Sequence, residues 1–377
     1  MKELKFHGES IVIGRNSLNY LSKLQEKRVF VVTGGRSMLS NGTIDNISRI
    51  LKNSNCTMEV FSGIPANPST NDIQKGLKSI KEFEPDVIIG LGGGSAIDAA
   101  KLIGIFYEYP DYDFERVKKE ALPNKREKLM FIAIPSTSGT AAEVTRAAVV
   151  TYENINLKIG LFSDAFIADV SILDPEVTLS MPQNVVAETG MDAMTHAVEC
   201  YINKNIDDFS ECLAKGAVEG LYRHLPKSFK EGDFESREKV HNYQCMAGSA
   251  FSNVGLGMSH GISHAFGGKF NLGHGLLNAI ALPFVLEFNS VDQEVANKLD
   301  YLGKLIDKKN FIKAIRKLNK KLNIPKSFKA AGIEINEFES NFDELVANSL
   351  KGSTRRNPVP VTKEDMEKIL WKIYGNK

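Results

Sequence analysis

Residues 86–101 read DVIIGLGGGSAIDAAK, an apolar run followed by three glycines and then by a helical pattern. The run Asp86–Leu91 is rich in β-branched residues and predicts a buried strand. The glycines let a ligand approach the backbone, and a helix that begins there points its first N–H groups at that ligand. A pyrophosphate fits such a position, although Ser95 stands where the GxGxxG spacing has its third glycine. A glycine-rich turn without a ligand is the alternative.

Further apolar runs lie on both sides of this strand. They are Val29–Val32, Met58–Phe61, Phe131–Ile134, Ala148–Val150 and Val170–Leu173. Between several of them the apolar residues recur at helical spacing, as Ile73, Leu77 and Ile80 do within Thr70–Glu84. Strands that alternate with helices indicate a mostly parallel sheet covered on both faces.

The pattern changes near Asp174-Pro175, beyond which strand candidates nearly vanish. Helical spacing prevails in Val185–Ile202, Phe209–Leu225, Glu238–Phe251, Leu276–Glu287 and Phe311–Leu322. We therefore predict an α/β domain with a parallel sheet over residues 1–178 and an all-helical domain over residues 179–377.

Composition narrows the class of protein. The chain has 377 residues, 42% of them hydrophobic and 25% charged, with a formal net charge of +1. Such numbers are typical of a globular protein and give no electrostatic reason to expect nucleic acid or an anionic membrane as a partner. The first residues, MKELKFHG, carry charges where a signal peptide needs an apolar run, and the four cysteines are scattered without a CxxC pair. We expect a cytoplasmic protein with no membrane partner.

A second loop of interest is PSTSGT at residues 135–140, which also follows a predicted strand. Three hydroxyl side chains in a short loop can donate hydrogen bonds to phosphate or ribose oxygens. A capped turn without a ligand explains the same residues, so both interpretations stay open here.

The C-terminal half contains one carboxylate and several histidines at helical spacing. Asp192 and His196 are four residues apart, as are His260 and His264, and His274 follows soon after. Residues four apart share one face of a helix, and a carboxylate with imidazoles can bind a divalent metal while one position stays open for substrate. Such a metal beside a nicotinamide would polarise the oxygen of an aldehyde or alcohol. The remaining histidines are given no role: His7, His224 and His241.

These segments resemble the iron-containing (group III) alcohol dehydrogenases over essentially the whole chain. The resemblance is densest in GGGSAIDAAK (92–101), PSTSGTAAEVT (135–145), ILDPEVTLSMP (172–182), TGMDAMTHAVECY (189–201) and HGISHAFGGKFNLGHG (260–275). The C-terminal half is most similar to the propanol, ethanol and butanol dehydrogenase branch. The resemblance implies hydride transfer between NAD(P)H and a short-chain aldehyde or primary alcohol, in an enzyme that forms a homodimer or a larger homo-oligomer.

The resemblance also implies roles for individual residues. The metal ligands, with Fe²⁺ expected and Zn²⁺ as the alternative, are Asp192, His196, His260 and His274. The catalytic residues are His264, which would relay a proton, and Asp98, which would lie near the nicotinamide. The dinucleotide-binding residues are Gly92, Gly93, Gly94, Ser95, Asp98, Thr137, Thr140 and Lys158. Phe251 would line the substrate pocket.

One departure from relatives that prefer NAD lies after the second strand. They often have aspartate there, whereas this chain has Gly34, followed by Gly35 and Arg36. Aspartate would repel a 2′-phosphate, while open space and an arginine can accept one, so we expect NADP(H) to be favoured over NAD(H). A tight turn that accepts either dinucleotide is the alternative.

Three other functions are alternatives for this chain. A polyol or glycerol-type dehydrogenase using Zn²⁺ would tend to lack one of the histidines. A lyase of the dehydroquinate synthase type would need basic phosphate-binding residues near the metal cluster. A non-catalytic protein stapled by metal would have a closed site without an open coordination position.

Overall fold

The computed structural model describes residues 2–153 and 157–375 of the chain. The chain divides into two compact units, Met1–Met181 and Pro182–Lys377. The first unit contains every strand among the described residues, and the second is helical. The predicted fold class, an α/β domain with a parallel sheet followed by an all-helical domain, is confirmed.

The first unit is built on a six-stranded parallel sheet with the strand order β1-β8-β5-β4-β2-β3. A separate antiparallel pair joins β6 to β7. The strands are β1 (Ser10–Ile13), β2 (Arg28–Thr33), β3 (Thr57–Phe61), β4 (Val87–Gly92), β5 (Met130–Pro135), β6 (Ala147–Tyr152), β7 (Leu157–Phe162) and β8 (Val170–Leu173). The run Ala148–Val150 is therefore a strand, but it lies outside the main sheet.

Helices cover both faces of the main sheet. They are α1 (Ser37–Ser40), α2 (Thr43–Asn53), α3 (Thr70–Phe83) and α4 (Gly94–Glu108). Phe30 and Val32 of β2 pack in one apolar cluster with α3 and α4, whereas Val29 and Val31 pack in another with α2. Because successive side chains of a strand point to opposite faces, a continuous apolar run is what a strand buried on both sides requires.

The second unit contains ten α-helices among its described residues. They are α5 (Gln183–Ile202), α6 (Asp208–Lys230), α7 (Phe234–Val254), α8 (Met258–Phe270), α9 (His274–Asn289), α10 (Gln293–Leu305), α11 (Phe311–Lys321), α12 (Ile335–Ser340), α13 (Phe342–Ser349) and α14 (Lys363–Tyr374). Among the described residues the short 3₁₀ helices are Ser17–Lys23, Arg116–Lys118, Ala142–Val144, Asp164–Phe166, Pro175–Thr178 and Gly352–Arg356. None of the described helices is long and apolar enough to cross a membrane.

Helix α5 is buried on all sides from Gly190 to Ile202. Glycines let its neighbours come close, since a Cβ on Gly190 would overlap Leu225 of α6. A Cβ on Gly220 of α6 would likewise overlap the Tyr243 ring of α7. A helix buried on every side is an interior helix, so the charged residues that α5 carries are held away from solvent.

Candidate active site

Three loops of the first unit follow strands that are neighbours in the sheet. Strand β4 pairs with β2 on one side and with β5 on the other. Because the carboxyl ends of parallel strands meet at one edge, residues 34–36, 92–95 and 136–140 follow neighbouring strand ends. One direct contact is the Ser136 N–H, which donates to the Gly92 carbonyl at 2.8 Å. Ligands of open α/β sheets bind at this edge.

The glycine loop fits closely against the hydroxyl loop. Gly92 has a φ of +145°, which strongly favours glycine. A Cβ on Gly93 would lie 3.5 Å from Thr137 Cγ2, and one on Gly94 would lie 2.9 Å from Thr140 Oγ1. Helix α4 begins here without a side-chain cap, so its first N–H groups can bind an anion.

Ser95 is held by a hydrogen bond, whereas the loop after β2 has open space around it. The Ser95 hydroxyl donates to the Ala66 carbonyl at 2.5 Å. The nearest atom to a Cβ on Gly34 would be the Ile64 oxygen at 3.6 Å, and a Cβ on Gly35 would meet nothing within 4 Å. Arg36 is exposed, immediately before α1. There is therefore open space where a larger side chain would stand.

Asp98 connects α4 to the antiparallel pair. Its Oδ2 accepts the Val149 N–H at 3.0 Å, and its Oδ1 lies 3.5 Å from Lys101 Nζ. Burial raises the pKa of Asp98, and the Lys101 charge lowers it by less. Lys158 is exposed on β7, opposite Thr151.

A carboxylate and two imidazoles converge in the second unit. Asp192, His260 and His274 offer ligand atoms that all lie within 4.8 Å of one another. Asp192 Oδ1 is 3.6 Å from His260 Nε2 and 3.8 Å from His274 Nε2. His196 adds a fourth group, with Nε2 at 4.0 Å from the same oxygen. Two ligands of one metal, each bonded at about 2.0–2.3 Å, lie roughly 3–4 Å apart.

Aromatic contacts extend this cluster. The His196 ring stacks on Phe251 with a centroid distance of 4.3 Å and on His260 at 4.6 Å. The His264 ring stacks on His274 at 5.0 Å, and His264 is exposed whereas His260 is buried. All five sequence-predicted residues of the helical half, together with Phe251, thus lie in one contiguous group of side chains.

Two polar residues that the sequence interpretation missed contact this group. Glu199 lies seven residues after Asp192 on α5 and accepts a hydrogen bond from His260 Nδ1 at 2.7 Å. Asn278, four residues after His274, donates from Nδ2 to Asp192 Oδ1 at 2.7 Å. The helical spacing from Asp192 and from His274 is the signal that could have identified both.

The charges in the cluster shift the protonation of its members. Burial alone would raise the pKa of Asp192, but the His196 and His274 charges hold it below its ordinary range. Burial alone would lower the pKa of His260, yet the two neighbouring carboxylates, Asp192 and Glu199, raise it to about 9. An anion and a cation are therefore favoured side by side in the metal-free protein.

The donor set fits a divalent metal. His260 Nε2 is buried and has no hydrogen-bond partner among the described residues, although it faces Asp192. A buried polar atom without a partner is costly unless something else binds it. Gly275 lets α9 approach closely, because a Cβ there would overlap the Glu188 backbone of α5. That approach brings His274 to the cluster.

Comparisons with known proteins agree along the whole chain. The family model described as "Iron-containing alcohol dehydrogenase" matches residues 8–175. The one described as "Fe-containing alcohol dehydrogenase family, C-terminal" matches residues 186–374.

Individual relatives carry related activities. The "NADPH-dependent butanol dehydrogenase" of Clostridium saccharobutylicum is 39% identical over 97% of this chain and 96% of that protein. A 1-propanol dehydrogenase of Salmonella typhimurium is 32% identical over 95% of this chain and 96% of its own. An aldehyde-alcohol dehydrogenase of Streptococcus pneumoniae is 34% identical over 96% of this chain, which spans 45% of that longer protein.

A solved structure extends the agreement to the fold. The iron-containing alcohol dehydrogenase of Thermococcus thioreducens superposes with a TM-score of 0.92 at 32% identity and covers 100% of both chains. The family models and the relatives together support an oxidoreductase of alcohols and aldehydes. The chain belongs to the iron-containing alcohol dehydrogenase family.

Proposed function

We propose that the chain reduces short aldehydes to primary alcohols with NADPH, and catalyses the reverse oxidation, with the help of a divalent metal ion. Aldehyde, NADPH and a proton give alcohol and NADP⁺, so the site must bind an oxygen atom, hold a dinucleotide and supply one proton. The relatives named for butanol and 1-propanol support a short, uncharged substrate. Phe251, stacked on His196, offers that substrate an apolar contact.

The observation that carries the metal proposal is the buried, unpartnered Nε2 of His260, 3.6 Å from Asp192 Oδ1. We propose that Asp192, His196, His260 and His274 hold Fe²⁺, with Zn²⁺ as the alternative. The metal when bound would polarise the substrate oxygen. Three of these four residues, Asp192, His196 and His260, are buried, which limits the access of water to the metal.

We propose that His264 supplies the proton that aldehyde reduction consumes. Its exposed ring stacks on His274, so it connects the cluster with solvent, and an imidazole can gain or lose a proton near neutral pH. Asp98 is proposed as the second catalytic residue, in contact with the nicotinamide. The Val149 N–H and the Lys101 ammonium group hold its carboxylate in place.

We further propose that the domain of residues 1–178 binds the dinucleotide and the domain of residues 179–377 binds the metal. The uncapped start of α4 supports a pyrophosphate contact at Gly92, Gly93, Gly94 and Ser95. Thr137 and Thr140, packed on that loop, would contact the nucleotide, and Lys158 its ribose. NADP(H) is favoured because Gly34 leaves space and Arg36 is exposed beside it. The NADPH-dependent relative supports this preference.

The function is tested by loading the purified chain with Fe²⁺ without oxygen and following NADPH oxidation with butanal, propanal and dihydroxyacetone. We expect turnover of the two aldehydes, loss of activity after chelation, and loss in Asp192→Ala. The matched control is His224→Ala, because His224 stacks on Tyr243 outside the cluster. Full activity without metal would refute the metal role, and turnover of dihydroxyacetone alone would favour the polyol alternative.

We also propose that the protein is cytoplasmic and forms a homodimer or a larger homo-oligomer, as the resemblance to its family implies. Scattered cysteines without a CxxC pair suit a reducing compartment. Light scattering of the purified protein tests the dimer, and cell fractionation tests the location.

A further inference from the structure

Glu199 is a buried carboxylate that serves two neighbouring structures at once. It is 2% exposed. Its Oε1 accepts the Ser259 N–H at 2.6 Å, and its Oε2 accepts the Gly257 N–H at 2.9 Å and His260 Nδ1 at 2.7 Å. A buried carboxylate is stable only when hydrogen bonds replace its contacts with water, and these three bonds do so for Glu199.

The first structure it serves is the beginning of α8. That helix starts at Met258 after Gly257, and no side chain of its own caps it. The free N–H groups of a helix start need acceptors, and here Glu199 of α5 accepts the N–H groups of Gly257 and Ser259. The position of α8, and of His260 in its first turn, is therefore tied to α5.

The second structure is the His260 ring. An ionised carboxylate can only accept, so Nδ1 must carry the hydrogen of this bond. The lone pair of a neutral His260 is then at Nε2, the buried atom that faces Asp192 at 3.6 Å. One carboxylate thus selects both the tautomer and the orientation of the ring.

We propose that Glu199 is the positioning residue of the metal site, which sets the affinity for the metal by presenting His260 Nε2. This inference rests on the proposed metal site. Replacement by glutamine is informative because the size is kept while one acceptor becomes an NH₂ donor. In one amide orientation that donor would oppose the Ser259 N–H. In the other it would oppose the Gly257 N–H and the Nδ1 hydrogen, and it would then favour the tautomer whose hydrogen is on Nε2.

The chain offers a matched control in Glu108 of α4. This glutamate is also buried and also accepts three hydrogen bonds from backbone N–H groups, those of Glu127, Lys128 and Leu129. No histidine takes part in that arrangement among the described contacts. Glu108→Gln therefore reproduces the loss of a buried multiple acceptor without touching the cluster.

The experiment measures Zn²⁺ affinity by competition with a chelator, the visible absorption spectrum of the Co²⁺-loaded protein, and the Tm of each metal-free variant. We expect Glu199→Gln to weaken Zn²⁺ binding about 10–100-fold and to change the Co²⁺ spectrum. Glu108→Gln should lower Tm yet leave both metal readouts as in wild type. A merely structural role for Glu199 would lower Tm alone.

Glu199→Asp keeps an acceptor-only group with a shorter reach, so the Zn²⁺ affinity of this variant should lie between that of the glutamine variant and that of the wild type. It also serves if Glu199→Gln does not fold. Wild-type affinity and spectrum in the folded variants would overturn the inference while leaving the proposed function intact. Failure of the wild-type chain to bind Zn²⁺ or Co²⁺ would instead overturn the metal proposal itself.

Discussion

Gly34 has no side chain, although its backbone does not require glycine. Its φ lies outside the positive range, and a Cβ there would meet only the Ile64 oxygen at 3.6 Å. The backbone of the turn would therefore tolerate another residue at position 34. What the missing side chain provides is room at the carboxyl end of β2, where a dinucleotide's ribose is bound in such sheets.

Gly34→Asp should weaken NADP(H) and spare NAD(H). A carboxylate at this point would repel a 2′-phosphate, and the loss of one charge-assisted contact is worth about 1.5–3 kcal/mol, or roughly tenfold to a hundredfold in kcat/KM. The measurement is kcat/KM for both dinucleotides with butanal.

The matched control is Gly34→Ala, which adds a Cβ without charge and should leave the ratio near that of wild type. Arg36→Ala should weaken NADP(H) alone. A wild-type preference for NAD(H), or a ratio unchanged by Gly34→Asp, would show that this loop does not choose the dinucleotide.

Single residues also show which contacts can be predicted from the sequence and which cannot. Asp192 and His196 were identified together because a spacing of four on one helix is visible in the sequence. The partner of Glu199 is His260, 61 residues later, and no local pattern records such a pair. The contact depends on how α8 packs against α5, which only the folded chain decides.

At the level of elements, strands were predictable where the apolar run was long. The central strands β2, β4 and β5 are continuous β-branched and apolar segments, and all were identified. The edge strand β1 has four residues, and β7 contains Lys158 and Gly160, so neither shows a clear period. Strand order was not predictable, since crossover helices of similar length permit several arrangements.

Helix α8 contains several residues of low helix propensity. Three of its residues, Gly261, Gly267 and Gly268, are glycine, each about 1 kcal/mol less favourable than alanine in a helix. Gly261 is required by packing, because a Cβ there would overlap Thr354. Tertiary contacts, including the Glu199 bonds at the helix start, thus outweigh a weak local propensity.

Helix α6 provides a direct test of glycine as a packing residue. Gly220→Ala should lower stability by up to about 2 kcal/mol, because overpacking against Tyr243 costs about 1–3 kcal/mol and the gain in helix propensity is only about 1 kcal/mol. The shift is measured as the midpoint of urea unfolding.

Gly216→Ala in the same helix is the control. Its Cβ would lie 3.1 Å from Met246 Cε, the flexible end of a side chain that can move aside. We expect no loss and up to about 1 kcal/mol of added stability. If the two variants lowered stability equally, close packing at Gly220 would not be the cause.

For the whole molecule, the buried cluster makes stability depend on pH and on metal. The pKa of His260 is raised from 6.5 to about 9 in the metal-free protein, where Asp192, His196, His274 and Glu199 surround it. The folded state then binds more protons than the unfolded chain between these two values. This contribution is complete below pH 6.5 and is lost as pH rises through 9.

The Tm of the metal-free protein should therefore fall between pH 7 and about 9.5, whereas the Zn²⁺-loaded protein should keep or increase its Tm over the same range. Removing metal should cost most at high pH, where protons no longer offset the buried carboxylates. The metal-free His260→Gln variant should not show this fall in Tm. Parallel curves for the loaded and metal-free protein would contradict this account.

The distribution of the cluster along the chain has a consequence for its biosynthesis. Helix α5 carries Glu199 and Asp192. The partner of Glu199, His260, is 61 residues distant in sequence, and the partner of Asp192, Asn278, is 86 residues distant. Ribosomes make these segments seconds apart, at about 5–20 residues per second, so a nascent chain that ends after α5 has no assembled pocket. We expect ions to be captured only after the segments with His260, His274 and Asn278 have been made and have folded onto α5. Which transition metal the enzyme carries is then decided by the cell's supply at that moment as much as by its ligands.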